Sequence, residues 1–333
     1  MNLKRFHIAL LLQLLLFGAG VAHAQESTSS FNALKLPTST HAAALGGRNI
    51  SLIDDDAALG WTNPALYANV SDRTVALDFM TYISSSAWMG AQFVKAVGER
   101  HSIAVLAQYM NYGSMDETDE SGNVLGTFSA KDIIVGAGYS YLLSDCWAGG
   151  ANCKFLVSKI SDYTAVAMSL DLGLNYFDAE TDLSISAALQ NLGIQLKPYD
   201  DGLRAHVPLT LELGLTKGLA HLPARIHVTL TDLTRWRSSY YTLPDADSES
   251  LSFGRKALNH VVLGLDILPA DCLYLSLGYN FRRAYELKAS GSSHLAGFSA
   301  GGGLHIRAFS FGISYAKYHQ AGNSLMFSAS YAL

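Results

Sequence analysis

From Arg73 to the end of the chain, large apolar residues alternate with small or polar ones. In residues 166–176 every even-numbered position is large and apolar, and the positions between are Ala, Ser, Asp, Gly or Asn. The same pattern returns in residues 209–216, 273–281 and 309–316. Because successive strand side chains point to opposite faces, the pattern predicts β-strands with one apolar face and one small or polar face.

The length of these segments separates two all-β architectures. About fourteen segments occur, most about 8–13 residues long, which is typical of barrel strands that cross a membrane. Strands of soluble proteins average about 5–6 residues, whereas a tilted strand needs about 9–11 to cross a bilayer. The sequence therefore predicts an all-β transmembrane outer-membrane barrel of about 14 antiparallel strands, with its apolar face in outer-membrane lipid.

The connections between the predicted strands alternate in length as is usual in such barrels, although three outer connections, near Ser84, Ile160 and Ala321, are also short. Short turns fall at 98–99, 144–145, 178–180, 218–223, 269–270 and 307–308. The long connections are Gly113–Gly126, Leu192–His206, Arg237–Ala257 and Arg283–Leu295. If both termini lie in the periplasm, the long connections face the cell exterior, which is the usual arrangement.

The first residues predict export. Lys4 and Arg5 precede the apolar stretch 8–17, and Ala22–Ala24 supplies a small-x-small cleavage site. Cleavage there moves the formal net charge from −5 to −7. This acidic balance without a basic patch argues against a nucleic-acid partner. We predict a signal peptide over 1–24 and residence in the outer membrane of a Gram-negative bacterium.

Sequence signatures of catalysis and of cofactor or metal binding are missing. The chain has no nucleophile elbow, Cys-x-x-Cys pair or His-Glu-x-x-His. Its Gly-rich stretches 136–143 and 301–306 lie inside predicted strands, not in the strand-turn-helix context of a phosphate cradle. His227 alternates with apolar neighbours and is predicted to point inward with a structural role. We therefore expect a protein that is not an enzyme and holds no cofactor or metal.

Residues 25–72 lack the alternation and contain three consecutive aspartates, Asp54–Asp56. These carboxylates suit a cation site or a helix cap. We favour an N-cap at Asp54 or Asp55 for a short helix to about Gly60, followed by Asn63-Pro64 as the cap and first residue of another. With two short helices, this segment is predicted to be a plug inside the barrel, so the chain divides into 1–24, 25–72 and 73–333.

A basic and aromatic cluster lies near one predicted outer rim. It consists of Arg235, Trp236, Arg237, Tyr240 and Tyr241. Arginine forks bind phosphates and stack on aromatic rings. The cluster is a candidate contact for lipopolysaccharide or a partner protein, or equally an interfacial anchor.

The stretch 31–67 resembles the opening of the PorQ family and, more distantly, of the related PorV family, both outer-membrane components of the type IX secretion system of Bacteroidetes. Four short elements carry the resemblance: Leu-Gly-Gly, Asn-Ile-Ser-Leu, Asp-Asp-Asp and Asn-Pro-Ala-Leu. The motif and plug residues are Leu45, Gly46, Gly47, Asn49, Asp54, Asp55, Asp56, Asn63, Pro64, Ala65 and Leu66. Thr40-His41 departs from the family pattern.

That resemblance implies a FadL-like barrel with an N-terminal hatch. It also implies a docking role without catalysis: the barrel anchors a PorZ-like surface protein, through its outer loops, within the attachment complex that includes PorU and PorV. The rival interpretation is a FadL-like transporter of hydrophobic molecules, and an enzymatic barrel is a more distant third. Apolar inward residues and a bulged wall would favour transport, whereas a sealed lumen would favour the anchor.

Overall fold

The computed structural model describes residues 31–82, 86–200, 206–237, 251–287, 295–319 and 322–333. In these parts of the chain, fourteen antiparallel strands close into one barrel, with β1 paired to β14. This confirms the predicted architecture and strand number. The strands are β1 (Thr74–Thr81), β2 (Ala87–Val97), β3 (His101–Thr118), β4 (Val124–Leu142), β5 (Trp147–Ile160), β6 (Tyr163–Asp178), β7 (Leu183–Lys197), β8 (Thr210–Gly218), β9 (Ala224–Leu230), β10 (Val261–Ala270), β11 (Leu273–Asn280), β12 (Phe298–Ile306), β13 (Phe309–His319) and β14 (Gly322–Ala332).

The two faces of the wall differ as the alternation predicts. On β6 the outward residues Met168 and Leu172 are 43% and 44% exposed, whereas the inward Ala167 and Asp171 are 1% and 0% exposed. Large apolar side chains cover the outside of the barrel in the same way on the other strands. Such a continuous apolar surface is unfavourable in water, so the outer face contacts lipid.

The long connections all lie at one end of the barrel, which we call the loop end, although the β5–β6 connection at that end is short. The predicted loop Gly113–Gly126 is wrong for most of its length, because β3 and β4 remain paired as far as Thr118 and Val124. Their added residues form main-chain pairs and are mostly exposed on both faces. Alternation of apolar residues in the sequence therefore does not predict that β3 and β4 extend this far.

Two other loop-end segments also differ from the sequence prediction. Strand β9 ends at Leu230 instead of residue 236, two residues before Asp232, which adopts a left-handed φ of 53°. Short helices α2 (Phe253–Asn259) and α3 (Phe281–Leu287) occupy predicted loop or strand-end positions. The Ser252 side chain accepts a hydrogen bond from the first turn of α2, which favours a helix there.

The front segment, residues 31–70, lies against the inner face of the barrel and is mostly buried. Its helix α1 (Thr40–Ala44) packs on β11–β14, and the 3₁₀ turn Pro64–Asn69 packs on β3–β6. Two further 3₁₀ turns are Asn32–Lys35 and Ala57–Trp61. None of the described helices is long and apolar enough to cross a bilayer. The predicted signal peptide lies outside the described residues.

Candidate functional site

The Leu45–Gly47 motif brings the front-segment backbone against the wall. Gly46 has a φ of 100°, and a Cβ there would lie 2.3 Å from Val262 Cγ1. Its backbone N–H donates to Ser299 Oγ at 2.9 Å, and the same hydroxyl donates to the Ala44 carbonyl at 2.7 Å. Glycine is required here for both its backbone conformation and its lack of a side chain.

Asn49 links the next motif to the inner wall. Its Oδ1 accepts hydrogen bonds from the backbone N–H groups of Ser51 and Leu52, each at 2.9 Å. Its amide nitrogen therefore faces His227 Nδ1, which lies 3.1 Å away and acts as the acceptor. The hydrogen on Nε2 of that ring is donated to Asp266 at 3.0 Å. His227 is 1% exposed, which confirms its predicted inward orientation.

His41 lies between two carboxylates. Its Nδ1 is 2.7 Å from Asp54 Oδ2 and its Nε2 is 3.0 Å from Asp266 Oδ2, and the ring stacks on Tyr274 at 3.7 Å. Burial disfavours the charged imidazole, but the charges and hydrogen bonds of the two aspartates outweigh it and raise the His41 pKa to about 10. His41 is therefore protonated at neutral pH and donates from both nitrogens.

Asp266 holds this network together. Besides His41 and His227, it accepts a hydrogen bond from the Ser276 hydroxyl at 2.5 Å. We call the group of His41, Asp54, His227, Asp266 and Ser276 the polar anchor. It joins two positions of the front segment to β9, β10 and β11.

The three motif aspartates have three different partners. Asp54 belongs to the polar anchor, and Asp55 accepts hydrogen bonds from the backbone and hydroxyl of Ser71. Asp56 caps the turn Ala57–Trp61 through the Ala58 N–H at 2.9 Å. The predicted cap at Asp54 or Asp55 is therefore wrong, because tertiary partners occupy both. Among the described residues, no group of three His, Cys, Asp or Glu side chains has the arrangement of a metal site.

The Asn-Pro-Ala-Leu element behaves as its sequence predicts. The Asn63 side chain accepts from the Ala65 N–H at 3.1 Å, and Pro64 is the first residue of the turn. A Cβ at Gly173 on β6 would lie 2.1 Å from Asn63 Oδ1, and one at Gly150 on β5 would lie 2.5 Å from Pro64 C. These wall glycines make room for the turn.

Two buried ion pairs lie between the polar anchor and this turn. Lys154 on β5 pairs with Asp171 on β6 at 2.5 Å, and its Nζ donates to the Trp61 carbonyl at 3.1 Å. Arg48 of the front segment pairs with Glu212 on β8 at 3.3 Å. The front segment is thus bound to the wall by charges as well as by packing.

Apolar side chains cover another part of the inner wall, in its loop-end half on β1–β6. This apolar lining consists of Met80, Trp88, Leu106, Met110, Ile134, Leu156, Ala165 and Ala167. It belongs to the same buried cluster as Phe31, Leu34 and Leu36 of the front segment. An aqueous lumen would favour polar side chains at such positions.

The apolar lining ends at an irregular part of the wall. The pairing of β6 with β7 shifts register at Val166/Ala167 and again between Leu170 and Leu172. Asn191 has a left-handed φ of 59°, and its N–H donates to Asp171 at 2.7 Å. The register shifts of β3–β4, β10–β11 and β13–β14 fall near strand ends or in the extended hairpin, whereas this one lies within the wall.

A cavity of about 400 Å³ lies at the loop end, between the front segment and α3. We call it the loop-end cavity. Its charged lining residues are Lys35, Arg48, Asp232, Arg282, Arg283 and Glu286. The Tyr82 and Tyr318 side chains, which pack against the cluster of the apolar lining, also border it.

The predicted basic and aromatic rim is only partly described. Trp236 is 40% exposed, its ring centroid is 4.4 Å from that of His260, and its Nε1 donates to the Leu233 carbonyl at 2.8 Å. Arg235 and Arg237 flank it after the end of β9. Tyr240 and Tyr241 lie outside the described residues.

Sequence reasoning did not single out Lys35, Lys154, Asp266 or Arg283. Lys154 and Asp266 had a usable signal, because a charge at an inward position of a spanning strand needs a partner. Arg283 had none, since it follows a strand in a stretch that the alternation does not cover.

No family model and no curated protein matches this chain. Solved structures do match its fold. The Pseudomonas putida toluene transporter TodX aligns with a TM-score of 0.56 at 13% identity, over 89% of this chain and 97% of that one. A Pseudomonas aeruginosa FadL homologue aligns at 0.53 and 11%, over 89% and 98%. The CymD monoaromatic hydrocarbon channel aligns at 0.55 and 10%, over 91% and 98%.

At these identities the likeness concerns the fold alone. The chain has the fold of FadL-type outer-membrane barrels. Its apolar outer face agrees with a location in the outer membrane. TodX is named as a transporter and CymD as a channel.

Proposed function

We propose that this chain passes small hydrophobic molecules across the outer membrane. The apolar lining carries this proposal. It gives one part of the plugged lumen an apolar inner surface. This surface ends at the bulged pairing of β6 with β7. The solved neighbours named as a toluene transporter and a monoaromatic hydrocarbon channel support the same substrate class.

The route begins at the loop end and follows the contact surface between the apolar lining and the front segment, which opens when the segment shifts. A hydrophobic solute gains about 25 cal/mol for each Å² of apolar surface that leaves water. The bulges between β6 and β7 provide the exit, because an interrupted ladder has fewer main-chain hydrogen bonds to break. The front segment acts as the plug and shifts to let the solute pass.

Uptake of a neutral aromatic by cells tests this route. Cells that produce the chain are expected to take up radiolabelled toluene faster than cells with an empty vector. Ala167→Trp fills the inner surface beside the bulge and should return uptake to the vector level. Met168→Trp, one residue away on the lipid face, is the matched control and should leave uptake unchanged.

Both variants are first checked for heat-modifiable migration on gels, which reports an intact barrel. If the wild-type chain takes up toluene no faster than the vector, transport of this substrate class is refuted. Equal uptake by Ala167→Trp and the wild-type chain would refute the route through β6–β7.

A second candidate function is docking within a type IX secretion complex, with a PorZ-like surface protein held beside PorU and PorV. The polar anchor and the buried ion pairs favour it, because they fix the front segment as a rigid closure. The rim at Arg235–Arg237 is then the contact for lipopolysaccharide or the partner. Capture of the tagged barrel from detergent-solubilised membranes should recover the PorZ-like protein, and its absence beside an intact barrel would count against docking.

A further inference from the structure

The described lining of the loop-end cavity carries more positive than negative charge. Its described lining contains four basic side chains and two carboxylates. One arginine, Arg282, engages both carboxylates, with Nη1 at 2.9 Å from Asp232 and Nε at 2.8 Å from Glu286. Arg48 pairs with Glu212, which belongs to the wall outside the cavity lining. Among the described residues of the lining, basic side chains therefore outnumber carboxylates.

One side-chain nitrogen of Arg283 is not used by the contacts that this residue makes. Its guanidinium lies 4.2 Å from the centroid of the Tyr318 ring. Its Nη1 is buried and has no hydrogen-bond partner among the described residues. The other terminal nitrogen is held close to Gly47, where a Cβ would lie 2.3 Å from it. A buried charged donor without an acceptor is costly, so the geometry calls for an acceptor from outside the chain.

We propose that the loop-end cavity is a binding site for an oxyanionic group, a carboxylate or a phosphate, with Arg283 as its principal donor and Lys35 and Arg48 adding positive charge. A guanidinium presents paired donors that match the oxygens of both groups. A volume of about 400 Å³ accommodates the group together with several attached carbon atoms. The site stands on its own charges and does not depend on passage of hydrophobic solutes.

The surroundings of Lys35 add a second argument. Burial, followed by the charge of Arg235, lowers its pKa to about 8, with Arg282 and Arg48 acting in the same direction and Asp232 opposing them. An anion in the cavity offsets this crowding of like charges and so favours the protonated lysine. Binding should therefore weaken as the pH rises through about 8.

Calorimetry on the purified full-length barrel in a neutral detergent tests the site. The probes are inorganic phosphate and hexyl phosphate, with hexanol as the uncharged counterpart. The wild-type protein should bind at least one phosphate probe saturably and should not respond to hexanol. Arg283→Gln should weaken that binding at least tenfold, and Arg283→Lys should restore part of it. Arg73→Gln removes one exposed charge at the opposite end of the barrel and should bind like the wild type.

The two probes distinguish the sources of the group. Binding of inorganic phosphate indicates a site for the free ion, and binding of hexyl phosphate alone indicates an amphiphile or a lipid headgroup. The pH series uses sulfate or hexyl sulfate, whose charge is constant over this range, and should show affinity falling above pH 8. Failure of both phosphates to bind, or equal binding by Arg283→Gln in a heat-modifiable barrel, would overturn the site. Neither result bears on toluene uptake, so the two proposals fail separately.

Discussion

The polar anchor and the apolar lining hold the same front segment in different ways. In the anchor, His41, Asp266 and His227 are all nearly fully buried, and each contact has one donor and one acceptor at a fixed position. In the lining, aliphatic and aromatic side chains meet without directional contacts. The anchor therefore specifies one position of the segment, whereas the lining stabilises any position that keeps apolar surface covered.

This difference indicates where the front segment can move. A displacement at the anchor leaves charges buried without partners, which costs several kcal/mol for each charge. A displacement along the lining costs only about 25 cal/mol for each Å² of apolar surface uncovered. We expect the segment to pivot about the polar anchor and to separate first from the apolar lining, whereas the turn that Lys154 on β5 holds stays in place.

Removal of the central carboxylate should have the largest effect. Asp266→Ala takes away the shared partner of His41, His227 and Ser276 and leaves the buried His41 with only one of its two carboxylates. Breaking a buried pair in this way costs about 3–5 kcal/mol. Limited proteolysis of the front segment should accelerate by two or more powers of ten. Heat-modifiable migration of the barrel should persist.

Asp182→Ala is the control for that variant. This carboxylate pairs with Arg225 at the short-turn end and is 37% exposed. It should leave proteolysis of the front segment unchanged. Slow cleavage of Asp266→Ala, equal to that of the control, would mean that the anchor does not hold the segment.

Alkaline pH should weaken the anchor without any substitution. The pKa of His41 is raised from its ordinary value of 6.5 to about 10. Its contribution is therefore complete below pH 6.5, declines as the pH rises above that value, and is lost as the pH passes through about 10. Cleavage of the front segment by an alkaline protease, normalised to an unfolded peptide, should rise between pH 8 and 10.5.

His41→Gln isolates the contribution of this residue. The variant should be cleaved faster than the wild type at pH 8 and should show a much smaller rise towards pH 10.5. A rise of the same size in both proteins would assign the pH dependence to other groups, such as Lys35.

A cavity in the apolar lining tests the other half of the comparison. Leu106 is 1% exposed, and Leu106→Ala should cost about 2–5 kcal/mol in barrel stability, as buried leucine truncations do. The urea midpoint of the barrel in lipid vesicles should fall. Val105→Ala, on the lipid face of the same strand, should lower it less. If the two midpoints fall equally, the lining is not packed as a core.

The alternation predicted the strands well because each spanning residue faces either lipid or the interior. It did not predict the full length of β7, where the strand was expected to end at 191. Outward residues before the bulge are odd-numbered, such as Ile185, and those after it are even-numbered, such as Leu192 and Ile194. One inserted residue reverses the phase of the pattern. The β6–β7 bulge, which forms the proposed exit, is therefore also the feature that interrupts the apolar alternation in the sequence.

The candidate site was predictable in part for a similar reason. The capping role of Asn63 follows from its own neighbours in sequence. Asp54 pairs with His41, and His41 in turn pairs with Asp266, which is more than two hundred positions away in the sequence. Nothing local distinguishes an aspartate that caps a turn from one that neutralises a distant histidine. The roles of the three aspartates are therefore set by the closure of the barrel.

The smallest expected effect separates a local cap from the polar anchor. Asp56→Ala removes the acceptor for Ala58 N–H and for the Ser39 hydroxyl, and should cost about 1 kcal/mol, as the loss of an N-cap does. Hydrogen exchange within Ala57–Trp61 should quicken about fivefold, while the amides of α1 other than Ala42, whose N–H donates to the Ser39 hydroxyl, stay protected. Asp55→Ala, which affects only the exposed contact with Ser71, is the matched control. Because Asp56 reaches α1 through the Ser39 cap and forms no hydrogen bond with the anchor among the described residues, a loss of protection that spread through all of α1 would show that the front segment is held as one unit and does not pivot.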